Sequence, residues 1–220
     1  MITYKSILAD QKIIDEYTKI DAQNIYPFSH GLQHAANVAE IVGKIADILG
    51  IVDNQKQYLQ IACALHDIGQ ASGRENHELR AKLFSQEYLP NEIPKDSLNE
   101  ILLAIEKHDQ ETDLDELSLF TNLVCFADKM DFSQKRLEKD YEKKFGYLIY
   151  SDIVDINFEY DEGCFKILIT TNKISNAIEL LEERSFFKKV IKSGIAVSKK
   201  LKASCKILVD QKEVDISSYL

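Results

Sequence analysis

Apolar side chains recur with a helical period through the first two thirds of the chain. Tyr58, Ile61, Ala62 and Leu65 follow the spacing i, i+3, i+4, i+7, which places them on one face of a helix. Residues 98–105 repeat this pattern. Similar patterns predict further helices near residues 5–19, 30–49, 76–88, 115–130 and 134–144.

The period changes near residue 150. In DIVDINFE and in CFKILIT, apolar and polar side chains alternate, which predicts two half-buried strands joined by a turn at YDEG. CKILV predicts a third strand, and one or two helices are expected across residues 175–202. We therefore predict a mainly α fold, with a helical bundle over residues 1–150 and a small α/β tail over residues 151–220 packed against it.

Composition narrows the class of protein. Of 220 residues, 45% are hydrophobic and 29% are charged, as in an ordinary globular protein. The N-terminal stretch carries acids and lysines, unlike a signal peptide, and no apolar run reaches the ~20 residues of a membrane span, so a cytoplasmic location is expected. The four cysteines are scattered, which favours free thiols. The net charge of −9 opposes binding to nucleic acid, so a phosphate-bearing ligand needs local cations.

Polar groups that can bind metals fall on apolar helix stripes. His34 shares the stripe of Val38, Ile41 and Ile45, and Asp128 continues a similar stripe. His77 and His108 also lie on apolar stripes of their predicted helices. The pair His66–Asp67 ends another helix.

A single buried histidine is usually a core residue hydrogen-bonded to a carbonyl group. A buried carboxylate, by contrast, needs a partner. Because four histidines and two aspartates are placed in this way, we interpret them as groups that satisfy one another around a cation. Nitrogen and carboxylate ligands without cysteine favour Fe, Mn, Co, Ni or Zn over Mg or Ca.

The motifs around these residues resemble the H…HD…D signature of the HD superfamily of metal-dependent phosphohydrolases. SHGLQHAANV, ALHDIG and FADKMD resemble its three motifs, and GRENHELRA and AIEKHDQ resemble the two extra histidine positions of the binuclear H-HD-H-H-D branch. The resemblance covers about residues 25–145 and implies a helical bundle with the site between its helices. No GYP follows the HD dipeptide, so specificity for cyclic di-GMP is not supported.

The resemblance implies a site with two divalent transition metal ions, Fe or Mn first and Co, Ni or Zn as alternatives. Asp67 would bridge the ions and act as the catalytic hub, and a metal-bound hydroxide would attack the phosphorus of a small phosphate ester or anhydride, such as a nucleotide. The first ion would be bound by His34, His66, Asp67 and Asp128, and the second by Asp67, His77 and His108.

Other polar residues flank the motifs. We predict that Ser29 caps a helix that begins at His30. We also predict that His30 lies near the mouth of the site, where it contacts either the metal ligands or the substrate and its leaving group. Lys129 and Arg74 are predicted to bind phosphate, and Lys129 and His30 are the catalytic candidates besides the hub. For Arg136, a salt bridge with neighbouring acids is the favoured interpretation.

Two other functions stay open at this point. A mixed-valent diiron oxygenase of the same superfamily uses the same ligand types, and a regulatory HD module would carry a vestigial site. Hydrolysis is favoured because oxygenases are a small minority of the superfamily. The expected partner is a small phosphorylated substrate, without nucleic acid or membrane, and the tail is expected to shape the substrate mouth or a homodimer contact.

Overall fold

Helices form most of the chain, and a small sheet follows them, as the sequence predicts. The computed structural model describes residues 2–23, 27–91, 93–137, 140–145, 149–172 and 185–219. The helices are α1 (Tyr4–Leu8), α2 (Gln11–Gln23), α3 (Leu32–Ile48), α4 (Asp53–Leu65), α5 (His77–Tyr88), α6 (Lys95–Lys107), α7 (Leu119–Met130), α8 (Tyr141–Phe145) and α9 (Ser185–Lys200). None of the helices described combines the length and apolar character needed to cross a bilayer.

Two predicted helices are divided in the structure. The helix predicted at 5–19 is split between α1 and α2, because the Asp10 carboxylate accepts a hydrogen bond from the Lys12 amide and restarts the helix. The helix predicted at 134–144 is wrong as a single element. A 3₁₀ turn occupies Gln134–Arg136, and Leu137 is then extended and pairs with Phe28 in an isolated bridge.

The sheet contains four strands in the order β1 (Ile153–Asp161), β2 (Cys164–Thr171), β3 (Ser204–Val209) and β4 (Lys212–Glu213). The first two form the predicted antiparallel hairpin, whose turn uses Gly163 at a φ of +73°. β3 runs parallel to β2 and corresponds to the predicted strand CKILV, whereas the short β4 was not predicted. A bulge between Ile153 and Asp155 shifts the register, so Ile153 rather than Val154 is fully buried.

Helix α9 joins β2 to β3 and fills the space between the sheet and α7. The rings of Phe126 on α7 and Phe165 on β2 lie 5.3 Å apart. Gly194 on α9 faces the same region, because a Cβ atom there would lie 2.6 Å from Cδ1 of Ile167. One hydrophobic cluster therefore runs from the helices into the sheet. The boundary at residue 150 stays a prediction. The part of the predicted 175–202 helices before Ser185 lies outside the described residues.

The segment after α4 is held in place by contacts with two other helices. The Tyr17 hydroxyl donates to the carbonyl oxygen of Ala64 at 2.8 Å, which ties α2 to the end of α4. A 3₁₀ turn over Ile68–Ser72 then runs directly under α5. At Gly69 an added Cβ would lie 2.0 Å from the carbonyl oxygen of His77. The backbone contact between the turn and α5 therefore requires glycine.

We expect Gly69→Ala to lower the free energy of unfolding by about 1–3 kcal/mol, the usual cost of overpacking, because its methyl group collides with backbone rather than with a movable side chain. Chemical denaturation measures this change. Gly50→Asn is the control, because Gly50 has a φ of +65° and no atom within 4 Å of an added Cβ, and asparagine tolerates that conformation. The control should stay within about 0.5 kcal/mol of wild type. Equal stability of the Gly69→Ala variant and wild type would contradict the proposed backbone contact.

Candidate metal centre

Four histidines and two aspartates meet in the interior of the helical bundle. Each residue lies at one end of a helix or directly after it. None of the six is more than 7% exposed. The structure thus brings together all six residues that the sequence suggested as metal ligands: His34, His66, Asp67, His77, His108 and Asp128.

The first group of ligand atoms surrounds the space between α3, α4 and α7. Nε2 of His34 lies 3.1 Å from Oδ1 of Asp128 and 3.6 Å from Oδ2 of Asp67. Nε2 of His66 lies 3.4 Å from Oδ2 of Asp67 and 3.6 Å from Oδ1 of Asp128. Ligands bound at ~2.0–2.2 Å around a four- to six-coordinate ion are about 3.0–3.6 Å from one another. The spacing of this group therefore suits a divalent metal ion.

The second group uses the other oxygen of Asp67. Nε2 of His77 and Nε2 of His108 each lie 3.3 Å from Oδ1 of Asp67, and the two nitrogens are 3.2 Å apart. Each oxygen of the carboxylate thus faces a different pair of histidines. Gln70 donates from Nε2 to Oδ1 at 2.6 Å and fixes the orientation of the carboxylate.

The hydrogen bonds of the imidazole rings select one tautomer. In His66, His77 and His108, Nδ1 lies 2.6, 2.8 and 2.8 Å from the backbone carbonyl oxygen three residues earlier. A carbonyl oxygen only accepts hydrogen bonds, so Nδ1 carries the proton and Nε2 of the neutral ring has a free lone pair. In His34, Nδ1 lies 2.7 Å from Oδ2 of Asp131, which acts in the same way.

The inward nitrogens are placed to bind a cation. Among the residues described, Nε2 of His34 and Nε2 of His66 are buried without a hydrogen-bond partner. Buried polar atoms without a partner are rare, because losing water without a replacement hydrogen bond costs about 1–3 kcal/mol. Lone pairs that face one another and two carboxylates are satisfied by a divalent ion, and this donor set suits a transition metal.

The two carboxylates are ionised. Burial raises the pKa of Asp67, but His66 and His30 beside it outweigh that effect and hold the pKa well below its usual value. Burial likewise opposes ionisation of Asp128, whose pKa is nevertheless lowered strongly by Lys129. Nζ of Lys129 lies 2.6 Å from Oδ2 of Asp128, which leaves Oδ1 directed at the histidines. Both side chains therefore offer charged oxygen ligands at neutral pH.

The predicted start of α3 is wrong, and this changes the environment of His30. The helix begins at Leu32, with Gly31 at its N-cap. Instead of capping, Ser29 donates from its hydroxyl to Oδ1 of Asp21 at 2.8 Å and accepts from the Gly31 amide at 3.0 Å. His30 consequently lies in the segment before the helix rather than in its first turn.

From that segment, His30 reaches the carboxylate at the centre of the site. Its Nδ1 lies 2.8 Å from Oδ2 of Asp67 and 3.2 Å from Nη2 of Arg136. Burial lowers the pKa of His30 to about 4, although Asp67 acts in the opposite direction, so the ring is neutral at pH 7. Its role as a contact of the substrate or leaving group stays a prediction.

Asp131 and Gln70 contact the cluster but were not among the residues predicted from the sequence. Asp131 accepts from His34, and Nη1 of Arg136 donates to its backbone carbonyl at 2.8 Å. The Arg136 guanidinium also lies 4.0 Å from the Asp131 carboxylate, in agreement with the salt bridge interpretation. Both missed residues lie three positions after a predicted ligand, one helical turn away, and this spacing is the signal that could have identified them.

A cavity of about 50 Å³ opens beside the cluster. It is lined by His30, by four of the six ligand residues and by acidic, amide and cationic side chains. Lys129 contacts Oδ1 of Asp109 at 2.9 Å, and Arg74 lies 3.8 Å from Oδ2 of the same carboxylate. Lys189, which comes from α9, was not predicted. The cationic residues of the lining are Arg74, Lys129, Arg136 and Lys189.

Comparison with known families agrees with this site. The HD domain model matches residues 31–133, a range that contains all six residues of the cluster. Residues 31–133 therefore resemble an HD domain, and the cluster of histidines and aspartates within them is compatible with the metal site of such a domain. A comparison of the chain with curated proteins finds no match.

We expect Asp131→Ala to weaken metal binding about 10- to 100-fold, because residues that orient a ligating imidazole typically have effects of this size. Titration of the metal-free protein with Mn²⁺ measures the affinity. Asp131→Asn should lose less affinity for Mn²⁺ than Asp131→Ala, since its amide oxygen can still accept a hydrogen bond from Nδ1 of His34. Asp155→Ala removes a half-exposed carboxylate and should bind metal like wild type. Unchanged affinity in Asp131→Ala would show that His34 does not depend on this contact.

Proposed function

We propose that the chain is a hydrolase of small phosphate esters or anhydrides, nucleotides in particular, that works with two divalent transition metal ions, Fe or Mn. One observation carries this proposal: the cavity beside the His/Asp cluster is lined by four cationic side chains. Metal ligands alone suit many reactions, but a dense group of cations beside them suits a phosphoryl group, whose oxygens carry the charge that those cations neutralise.

The residues would divide between two ions as their spacing suggests. The first ion would be bound by His34, His66, Asp128 and Oδ2 of Asp67, and the second by His77, His108 and Oδ1 of Asp67. When bound, such ions supply an activated water as nucleophile and stabilise charge on the phosphoryl oxygens.

The remaining side chains orient the ligands, bind the substrate and handle protons. Lys129 holds Asp128 in its orientation and presents positive charge to the cavity. Arg74 and Arg136 extend that charge along the wall. His30 is neutral and lies one hydrogen bond from Asp67, so its imidazole can accept the proton released by the nucleophilic water and pass it on to the leaving oxygen.

The size of the cavity bears on the substrate. Pockets that enclose a whole small molecule usually measure ~300–1,000 Å³, whereas this one measures about 50 Å³. As far as the described residues go, it has room for a phosphoryl group but not for the whole of a nucleotide. We therefore propose a cytoplasmic enzyme selective for the phosphate end of its substrate, with neither nucleic acid nor membrane as a partner.

Turnover tests this proposal. The metal-loaded protein should release phosphate or a nucleotide product from a panel of phosphate esters and nucleotides, with equal rates in air and without oxygen. A requirement for O₂ would favour the diiron oxygenase. Absence of turnover with any member of the panel, for protein that retains its metal, would favour a regulatory module. Metal-free protein is the control, and it should be inactive.

Metal content distinguishes the roles of the two groups of ligands. We expect close to two ions per wild-type chain by elemental analysis after loading with Mn²⁺. His108→Ala should retain about one ion, because it removes a ligand of the second group only. Asp67→Ala should lose most of both ions and all activity, since it removes the bridging carboxylate. Wild-type turnover of Asp67→Ala would contradict the bridging role.

A further inference from the structure

Lys189 brings a charge from outside the HD domain to the candidate site. It lies on α9, beyond the matched residues 31–133, and lines the cavity with the predicted ligands. Its Nζ lies 3.5 Å from Oδ1 of Asp109 and 2.6 Å from Oε1 of Glu111, and 17% of its side chain is exposed. The tail therefore contributes directly to the electrostatics of the site.

The packing of α9 sets the direction of this side chain. Phe187, Val190 and Ile191 are buried against the body of the protein, and Lys188 is exposed. Lys189 lies at the edge of the buried face, where its aliphatic stem is covered and its ammonium group reaches the loop after α6. The position of the charge is thus fixed by the hydrophobic contacts of the helix.

Alternating charges lead from the metal ligands to the surface. Asp128 contacts Lys129, Lys129 contacts Asp109, and Asp109 contacts Lys189. The side-chain exposure at the two ends of this series is 11% for Asp128 and 50% for Glu111, the outermost partner of Lys189. A phosphoryl group at the metal ligands would meet Lys129, and the next group outward would meet Lys189.

Three cationic side chains converge on the carboxylate of Asp109. Lys129 and Lys189 both contact the same oxygen of Asp109, and Arg74 lies 3.8 Å from the other oxygen. One carboxylate thus faces three cations, and Lys129 and Lys189 lie closest to it. An additional anion on the outer side of Asp109 would relieve their mutual repulsion.

We propose that Lys189, together with Arg74, binds a second phosphate of the substrate, so that the site prefers compounds with two or more linked phosphates over monophosphates. This inference rests on the proposed phosphohydrolase function. It assigns Lys189 a role in substrate selection and gives the C-terminal tail a part in the active site.

Binding of phosphonate analogues of ADP and AMP, which cannot be hydrolysed, tests the inference without relying on turnover. Calorimetry on the Mn²⁺-loaded full chain should show binding of the ADP analogue at least about tenfold tighter than binding of the AMP analogue, as expected for added charge-assisted hydrogen bonds. Lys189→Gln should abolish this difference. Lys188→Gln, which removes a neighbouring exposed lysine, should preserve it.

A second variant separates substrate binding from a merely structural ion pair. If Lys189 only ties α9 to the loop, Glu111→Gln and Lys189→Gln should weaken binding of the ADP analogue equally, and this result would overturn the inference. Under the inference, Glu111→Gln retains or strengthens binding, because Lys189 loses a competing anion. Equal affinity of wild type for both analogues would also overturn it.

Kinetics distinguish failure of the inference from failure of the proposed function. If wild type hydrolyses ADP, Lys189→Gln should raise KM for ADP about tenfold with kcat within about twofold. An unchanged KM would overturn the role of Lys189 and leave hydrolysis standing. Absence of hydrolysis would instead count against the proposed function, and the binding measurements would still decide on Lys189.

Discussion

The buried carboxylate of Asp67 is the constraint on which the arrangement of the site depends. Removing a carboxylate from water costs several kcal/mol unless other groups compensate its charge. Here one oxygen faces the histidines of α3 and α4 and the other faces those of α5 and α6. The helices can bring their polar ends to one point because this carboxylate faces all of them, and it would balance the charge of a metal ion bound there.

The close fit of the turn after α4 follows from this constraint. Asp67 reaches all four rings only if the 3₁₀ turn passes directly against α5, and Gly69 makes that approach sterically feasible. Tyr17 fixes the end of α4 from the other side. The hydrophobic packing around the site therefore determines distances between polar atoms, and the HD dipeptide is effective because its surroundings hold it at the meeting point of several helices.

Much of the site was predictable because helical periodicity is local. Polar residues on apolar stripes can be recognised within a few turns, so the sequence indicated the six residues that converge, and strand alternation indicated the hairpin. The start of α3 was not predictable in this way, since it depends on Ser29 contacting Asp21 rather than capping the helix. The position of Lys189 was even less predictable from the sequence. Its approach to Asp109 depends on how α9 packs on α7, and the two residues are 80 positions apart in the chain.

The hydrogen bonds from three imidazole rings to carbonyl groups three residues earlier have a consequence for metal selection. Because His66, His77 and His108 are each anchored to backbone at their own helix boundary, the orientations of the ligands are set before any ion arrives. A metal ion at the site would then bind without the cost of ordering these rings, and ions that prefer other distances would gain little from local adjustment. Evolution could thus retune the preferred metal by lengthening or shortening a helix end, with every ligand left unchanged.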